Sequence, residues 1–331
     1  MKNLNVAIAV AAIDFLNCCE KRRLYEALEG LDGAEEGAAL SFLEKCSYDE
    51  ICRLSNRGLR KNSRAFRWKG AELARLSRAA ASICRTSGIK AAHFGQKEFP
   101  PLLRQINDPP FALFYRGDIS VLLGKTVSVV GTRRLTPDGK SAAREFAYKA
   151  ASSGFCVVSG LAAGADGAAH QGAVDAFFDG KAPCCRTAAV LAGGVDNLFP
   201  PFHKKLAAQM IQNGGAILSE CPPLVPAERW RFVQRNRIIA ALSPATLVVQ
   251  APPGSGAMIT ADFALGYNRE ALFHQACFSP AAAAISNLVF KRLQAQEGAA
   301  AQRKIQSSPA VYVQDGARVI SSFEEFSSLM Y

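Results

Sequence analysis

No C-x-x-C pair occurs among the ten cysteines, which stand as two adjacent pairs (Cys18–Cys19, Cys184–Cys185) and six single residues. That excludes the common zinc spacings and a small disulfide scaffold, and it fits reduced thiols in a cytoplasmic protein. Only four histidines occur, His93, His170, His203 and His274, far apart in sequence, so no metal site is expected. No apolar run approaches membrane-spanning length. Leu4–Ile13 imitates a signal peptide after Lys2, but Asp14 and Asn17 interrupt it and an amphipathic first helix is expected. Two nucleotide motifs are also missing. No G-x-G-x-x-G follows the first apolar strand, and the loop Pro252–Gly256 lacks the lysine of a nucleoside-triphosphate P-loop. A dinucleotide cofactor is therefore not expected, nor any other cofactor.

Negative charge is also short: 39 Lys and Arg face 28 Asp and Glu, a formal net charge of +11. Such a surplus favours a polyanionic partner and says nothing about fold. It is unevenly spread. Residues 1–50 hold five basic and ten acidic residues, whereas residues 51–90 hold eleven basic residues against Glu72 alone. That second stretch, with Phe66 and Trp68, reads either as a nucleic-acid contact or as a solvated face.

The organising stretch is Thr126–Arg134, T-V-S-V-V-G-T-R-R. Val127, Val129 and Val130 closed by Gly131 read as a strand buried on both faces. Thr136 and Pro137 read as an N-cap and a first-turn proline. Strand, glycine turn and helix start together form an anion-binding geometry, with Arg133 and Arg134 supplying charge. Further strands are expected at Phe155–Ser159, Ala188–Ala192, Ala216–Ser219, Leu247–Gln250 and Leu272–His274, with helices at Ala163–Phe178, Phe202–Asn213, Val233–Leu242 and Met258–Tyr267. The alternation predicts an α/β fold: an extended Rossmann-like domain with a mostly parallel sheet, preceded by a small helical domain. Right-handed crossovers then gather the glycine loops at Gly131, Gly160, Gly193–Gly194 and Gly254–Gly256 on one edge. Residues 1–88 are expected as the helical domain, of SAM-like or helix-hairpin-helix-like type. Residues 89–277 are expected as the Rossmann-like domain, with a proline-rich connector at 89–125 in which Leu113–Tyr115 forms an edge strand. Residues 278–331 are expected as a poorly packed tail ending in a short strand and helix that close the domain, with no winged helix expected.

A second basic run, Arg229-Trp-Arg-Phe-Val-Gln-Arg-Asn-Arg237, interleaves aromatics with arginines. Its arginines, Arg229, Arg235 and Arg237 among them, suit phosphates; Phe232 suits base stacking, and Asn236 a base edge or a helix cap. Trp230 reads better as core. Ser159 and Gly160 lie on the same edge, as do Gly254, Ser255 and Gly256 at the start of a helix. Asp166 and His170, four apart on one helix, read as structural rather than catalytic.

V-V-G-T-R-R (129–134), V-V-S-G-L-A-A-G-A-D-G-A-A-H (157–170), L-A-G-G-V-D-N-L-F-P (191–200), F-V-Q-R-N-R-I-I-A-A-L-S (232–243) and G-S-G-A-M-I-T-A-D-F-A (254–264) stand in one consistent order. Through them the chain resembles the bacterial DNA-processing protein A family (DprA, also called Smf). That resemblance implies a non-enzymatic, homodimeric single-stranded DNA-binding protein that delivers strands to the RecA recombinase in natural transformation or recombination. It also implies a pocket of Gly131, Thr132 and Arg133 facing Arg229 and Phe232, beside the run Arg235, Asn236 and Arg237. Residues 176–187 look like an insertion relative to that family. The competing reading is a nucleoside-monophosphate glycosidase, whose P-G-G-x-G-T-x-x-E signature lacks its glutamate here, Asp262 being shorter and displaced.

Overall fold

A computed structural model describes residues 3–32, 37–58, 68–296 and 298–330. Within them the N-terminal part is helical: α1 (Leu4–Ala11), α2 (Cys18–Asp32), α3 (Ala38–Lys45), α4 (Tyr48–Leu54) and α5 (Gly70–Thr86). The first helix is not amphipathic, contrary to expectation. Val6 through Val10 are all buried because α2, α3 and α5 pack around it. Of the basic stretch, Arg60, Lys61, Arg64, Phe66 and Arg67 lie outside the described residues. Trp68 donates its indole N–H to the Leu43 carbonyl at 3.0 Å and packs edge-on to Phe15.

The sheet contains, among the described residues, β1 (Lys90–His93), β2 (Ala112–Gly117), β3 (Thr126–Val130), β4 (Cys156–Ser159), β5 (Thr187–Val190), β6 (Ala216–Ser219), β7 (Ala245–Val248), β8 (Glu270–His274) and β9 (Val319–Ile320). Their spatial order is β1-β2-β6-β5-β4-β3-β7-β8-β9. From β6 through β9 every pairing is parallel, while β1–β2 and β2–β6 are antiparallel. Residues Leu113–Tyr115 are thus not at the edge. They lie in β2, between β6 and the outer strand β1, which the sequence reading did not include.

Helices cover both faces: α6 (Pro137–Ser152), α7 (Ala165–Phe178) and α8 (Lys204–Gln212) on one, α9 (Arg229–Ala241) and α10 (Gly256–Gly266) on the other. The strand side chains alternate accordingly. Val127, Val129 and Val157 join the core beneath α6 and α7, whereas Val130, Val158 and Val190 join the core beneath α9 and α10. The N-terminal helices share one apolar cluster with Phe114 of β2, Ile217 of β6 and Met210 of α8. After β8, α11 (Pro280–Gln294), α12 (Ala299–Gln306) and α13 (Pro309–Gln314) lead to β9 and α14 (Phe323–Met330). In α11 only Ala282 and Leu293 are buried, which is a sparse anchorage.

Chain order reverses between β3 and β7: the path runs outward from β3 through β4, β5 and β6, then returns to β7 on its other side. In open α/β sheets that switch opens a crevice at the carboxyl ends of the strands. Both Gly131 and Gln250 stand there, each just beyond its strand.

Candidate nucleic-acid interface

The turn after β3 is held from three directions. The Thr132 amide donates to the Gln250 carbonyl at 2.7 Å, and the Thr132 carbonyl accepts from the Ala165 amide at 3.2 Å. Its hydroxyl accepts from the Arg134 amide at 3.2 Å. Thr136 caps α6 by accepting from the Gly139 amide at 3.2 Å, with Pro137 next, as the sequence pattern requires. The buried Gln250 side chain accepts from the Thr136 amide at 3.0 Å and donates to the Thr136 hydroxyl at 2.7 Å, pinning the helix start.

Two glycines permit this density. A Cβ on Gly131 would stand 2.6 Å from that of Ala165, and one on Gly164, at φ +81, would enter the Thr132–Arg133 backbone. The turns after β3 and β4 therefore lie backbone against backbone. With those peptides fixed, the side chains of Arg133 and Arg134 are left exposed at the edge.

Residues of α9 reach the same edge from the opposite layer. Arg133 places its guanidinium 5.6 Å from the centroid of the half-buried Phe232 ring. Phe199 packs edge-on to Phe232 at 5.7 Å and is itself 50% exposed. Arg229, exposed, stands three residues before Phe232 on the helix and so shares its side. Gly131, Thr132, Arg133 and Phe232 are thus grouped at one edge, with Arg134 beside them and the exposed Arg229 one helical turn before Phe232. Trp230 is not core: it is 50% exposed, bonded to Glu228 at 2.7 Å and covered by the Arg231 guanidinium at 4.2 Å.

Other residues expected at the surface are turned inward. Ser159 is fully buried and donates to the Val129 carbonyl at 2.6 Å, tying β4 to β3. Arg235 is 5% exposed; its Nη1 donates to the Gly160 carbonyl at 2.8 Å and to the Val190 carbonyl. The Gly160 amide in turn donates to Asp166 at 3.1 Å, so arginine and aspartate hold one glycine from both sides. Burial pushes the Asp166 carboxyl above its ordinary range, a rise opposed by Arg235 and by the amides of Ala162 and Gly160. Burial likewise lowers Arg235 to about 10, with Asp166 opposing the fall.

Arg237 is also internal. Its side chain is 8% exposed, pairs with Glu220, and lies 3.5 Å from Asp108. The reason is helical spacing: a nine-residue run on a helix covers every face, so part of it must turn toward the sheet. Asn236 donates to the Gly256 carbonyl at 3.2 Å, joining α9 to α10.

The loop at Gly254–Gly256 is roofed rather than open. The Gly254 amide donates to the Ser307 carbonyl at 2.7 Å, and Lys304 of α12 fills the space where a Cβ would point. Asp262, the carboxylate nearest to a glycosidase signature, accepts a hydrogen bond from Tyr312. Among the described residues no group of three or more His, Cys, Asp or Glu could hold a metal ion. His170 is fully buried, hydrogen-bonded to Thr187 at 2.7 Å, and driven by burial to about 3.

Residues 90–324 match the family model described as DNA recombination-mediator protein A. The chain belongs to that family. It is 37% identical over 187 residues to the DNA processing protein DprA of Bacillus subtilis, covering 56% of this chain and 60% of that one. It is 39% identical over 172 residues to protein Smf of Escherichia coli, covering 52% of this chain and 44% of that one. The matches thus span about half the length of these relatives. The fold is that of DprA structures. The Streptococcus pneumoniae protein superposes with a TM-score of 0.67 over 98% of this chain and 97% of its own, at 22% identity. The Helicobacter pylori protein, whose structure is described for its single-stranded DNA binding mode, gives 0.55 over 73% of this chain and 95% of its own, at 23% identity.

Proposed function

We propose that this member of the family binds single-stranded DNA at the edge formed by Gly131–Arg134 and the first turns of α9. The observation that carries the reading is Arg133 lying over Phe232: a cation and an aromatic face meet at a fixed backbone turn. Arg133 neutralises a phosphate, and Phe232 with Phe199 offers ring surface to an unstacked base. A duplex keeps its bases stacked inside and presents no such face. The finer assignments are part of the same proposal: homodimer formation, delivery of strands to RecA, and a cytoplasmic location, the last supported by ten free thiols.

Fluorescence anisotropy with labelled single and double strands, each at two salt concentrations, tests the binding. Single strands are expected to bind more tightly, with log K falling by about 0.7 per phosphate neutralised for each decade of salt. Equal affinity for both forms would remove the stacking role of Phe232.

A further inference from the structure

Beside the proposed pocket lies a second concavity of about 820 Å3, walled by α6, α7 and the turn that enters α8. Five cations line it, Arg133, Arg134, Lys140, Arg144 and Lys205, and no carboxylate does. Arg144 alone among the five has an ion pair with another described residue, Asp175 at 2.6 Å. Arg134, Lys140 and Lys205 are exposed on its rim. Glu145, Asp175 and Asp179 border Lys140 and Arg144 only from the adjoining depression, so on the groove side the positive potential raises the local concentration of anions.

This concavity holds an aromatic side chain that the core does not use. Phe202 is 68% exposed. It is nevertheless held in position, because His203 packs edge-on to it at 4.6 Å and is itself bonded through Nδ1 to the Leu161 carbonyl at 2.8 Å. The His203 ring rests against Gly167, where a Cβ would come within 2.6 Å of it. Exposed aromatics interleaved with unpaired cations are the composition of single-strand platforms.

Arg133 joins the two places, for it lines this groove and covers Phe232. We propose that the groove between α6, α7 and α8 is a second strand-binding segment, taking the single-stranded DNA that continues past Arg133. A base stacks on Phe202, and phosphates are neutralised by Arg134, Lys140 and Lys205. The inference rests on the single-strand reading of the first pocket and extends it by a direction and a length.

Labelled oligothymidylates of about 6 and about 20 nucleotides, brackets for one platform and for more than one, separate the two readings. With the longer strand, Phe202→Ala is expected to weaken binding roughly 5- to 150-fold, the range of one lost base stack. The Lys140→Ala/Lys205→Ala double variant should reduce its salt slope by about 1.4, two phosphate contacts at single-strand weight. Neither variant should change binding of the shorter strand, which Arg133→Ala weakens. Phe202 lies outside the core, so an unchanged melting temperature accompanies its loss. Unaltered affinity of the longer strand in both groove variants overturns the groove while leaving the first pocket standing. Wild-type protein that binds neither length overturns both.

Discussion

Replacing Arg235 by methionine distinguishes a buried arginine from a DNA contact. The substitution keeps most of the volume and removes the donor that serves the Gly160 and Val190 carbonyls. It also removes the positive charge that offsets the burial of Asp166. Taking one partner from a buried charged arrangement costs about 3–5 kcal/mol, because the remaining charge stays uncompensated. At roughly 2 °C per kcal/mol for a chain of this size, the melting temperature should fall by about 6–10 °C. Asp166→Asn keeps an oxygen for the Gly160 and Ala162 amides while discarding the charge. In the Arg235→Met background it should therefore cost less than it does alone, a coupling on the order of 1–3 kcal/mol. Differential scanning calorimetry of the four proteins closes the cycle, and DNA titration of the folded variants completes it. An unchanged melting temperature, together with a salt slope reduced by about 0.7 for single strands, would mean that Arg235 faces a phosphate and that the buried assignment fails.

Arg133 and Phe232 touch, so their alanine variants should not add: the double variant should weaken single-strand binding less than the sum, by about 0.5–3 kcal/mol in an affinity cycle. His170 remains neutral in the folded chain down to about 3, so an unfolded chain takes up a proton there below its ordinary value near 6.5 while the folded one does not. Stability is thus full above that value and is lost as pH falls toward 3, by about 2 kcal/mol between pH 6.5 and 5 at 1.36 kcal/mol per pH unit. Melting curves of His170→Gln against wild type across that window should show a flatter acid limb for the variant, and parallel limbs would exclude this histidine.

Much of the sheet was legible because buried parallel strands carry their signal locally. Val127–Val130 and Phe155–Ser159 are mostly apolar runs ended by glycine, and each became a buried strand. Order within the sheet was less legible. β1, Lys90–His93, has neither β-branched residues nor strict alternation, and it forms because β2 offers it a free edge. The helix α1 failed as an amphipathic reading for a related reason. Its Val6–Val10 run shows what is apolar, but only the surrounding helices decide that no face is left for water.

The site divides along the same line. The placing of Arg133 and Phe232 near one another was readable because a strand end and a helix start are sequence features, and Arg133 follows the end of β3 while Phe232 lies in the first turn of α9. Arg235 and Arg237 carry the same charge as Arg229 in the same run, and nothing in the run separates them except angle around the helix axis. At about 100° per residue, Arg229 and Arg235 each lie about 60° from Phe232 but on opposite sides of it, about 120° from one another, and the fold turns the Arg235 side toward β4–β5 while Arg237, about 140° from Phe232, meets Glu220. Phe202 read as the first residue of a helix, but it lies in the three-residue turn Pro201–His203 that precedes α8. Its proposed role depends on what the fold sets opposite it, and the groove cations come from the β3 turn and α6 on one side and from α8, more than sixty residues later in sequence, on the other. The buried arginine and the exposed one are thereby connected: Arg235 and Asp166 hold the Gly160 loop, that loop lies against Thr132 through Ala165, and Arg133 follows Thr132 on the backbone these hydrogen bonds hold. A cation held in this way loses less conformational freedom on meeting a phosphate than one on a mobile loop, so on the proposed reading loosening the Gly160 loop should weaken single-strand binding without removing any group proposed to touch DNA.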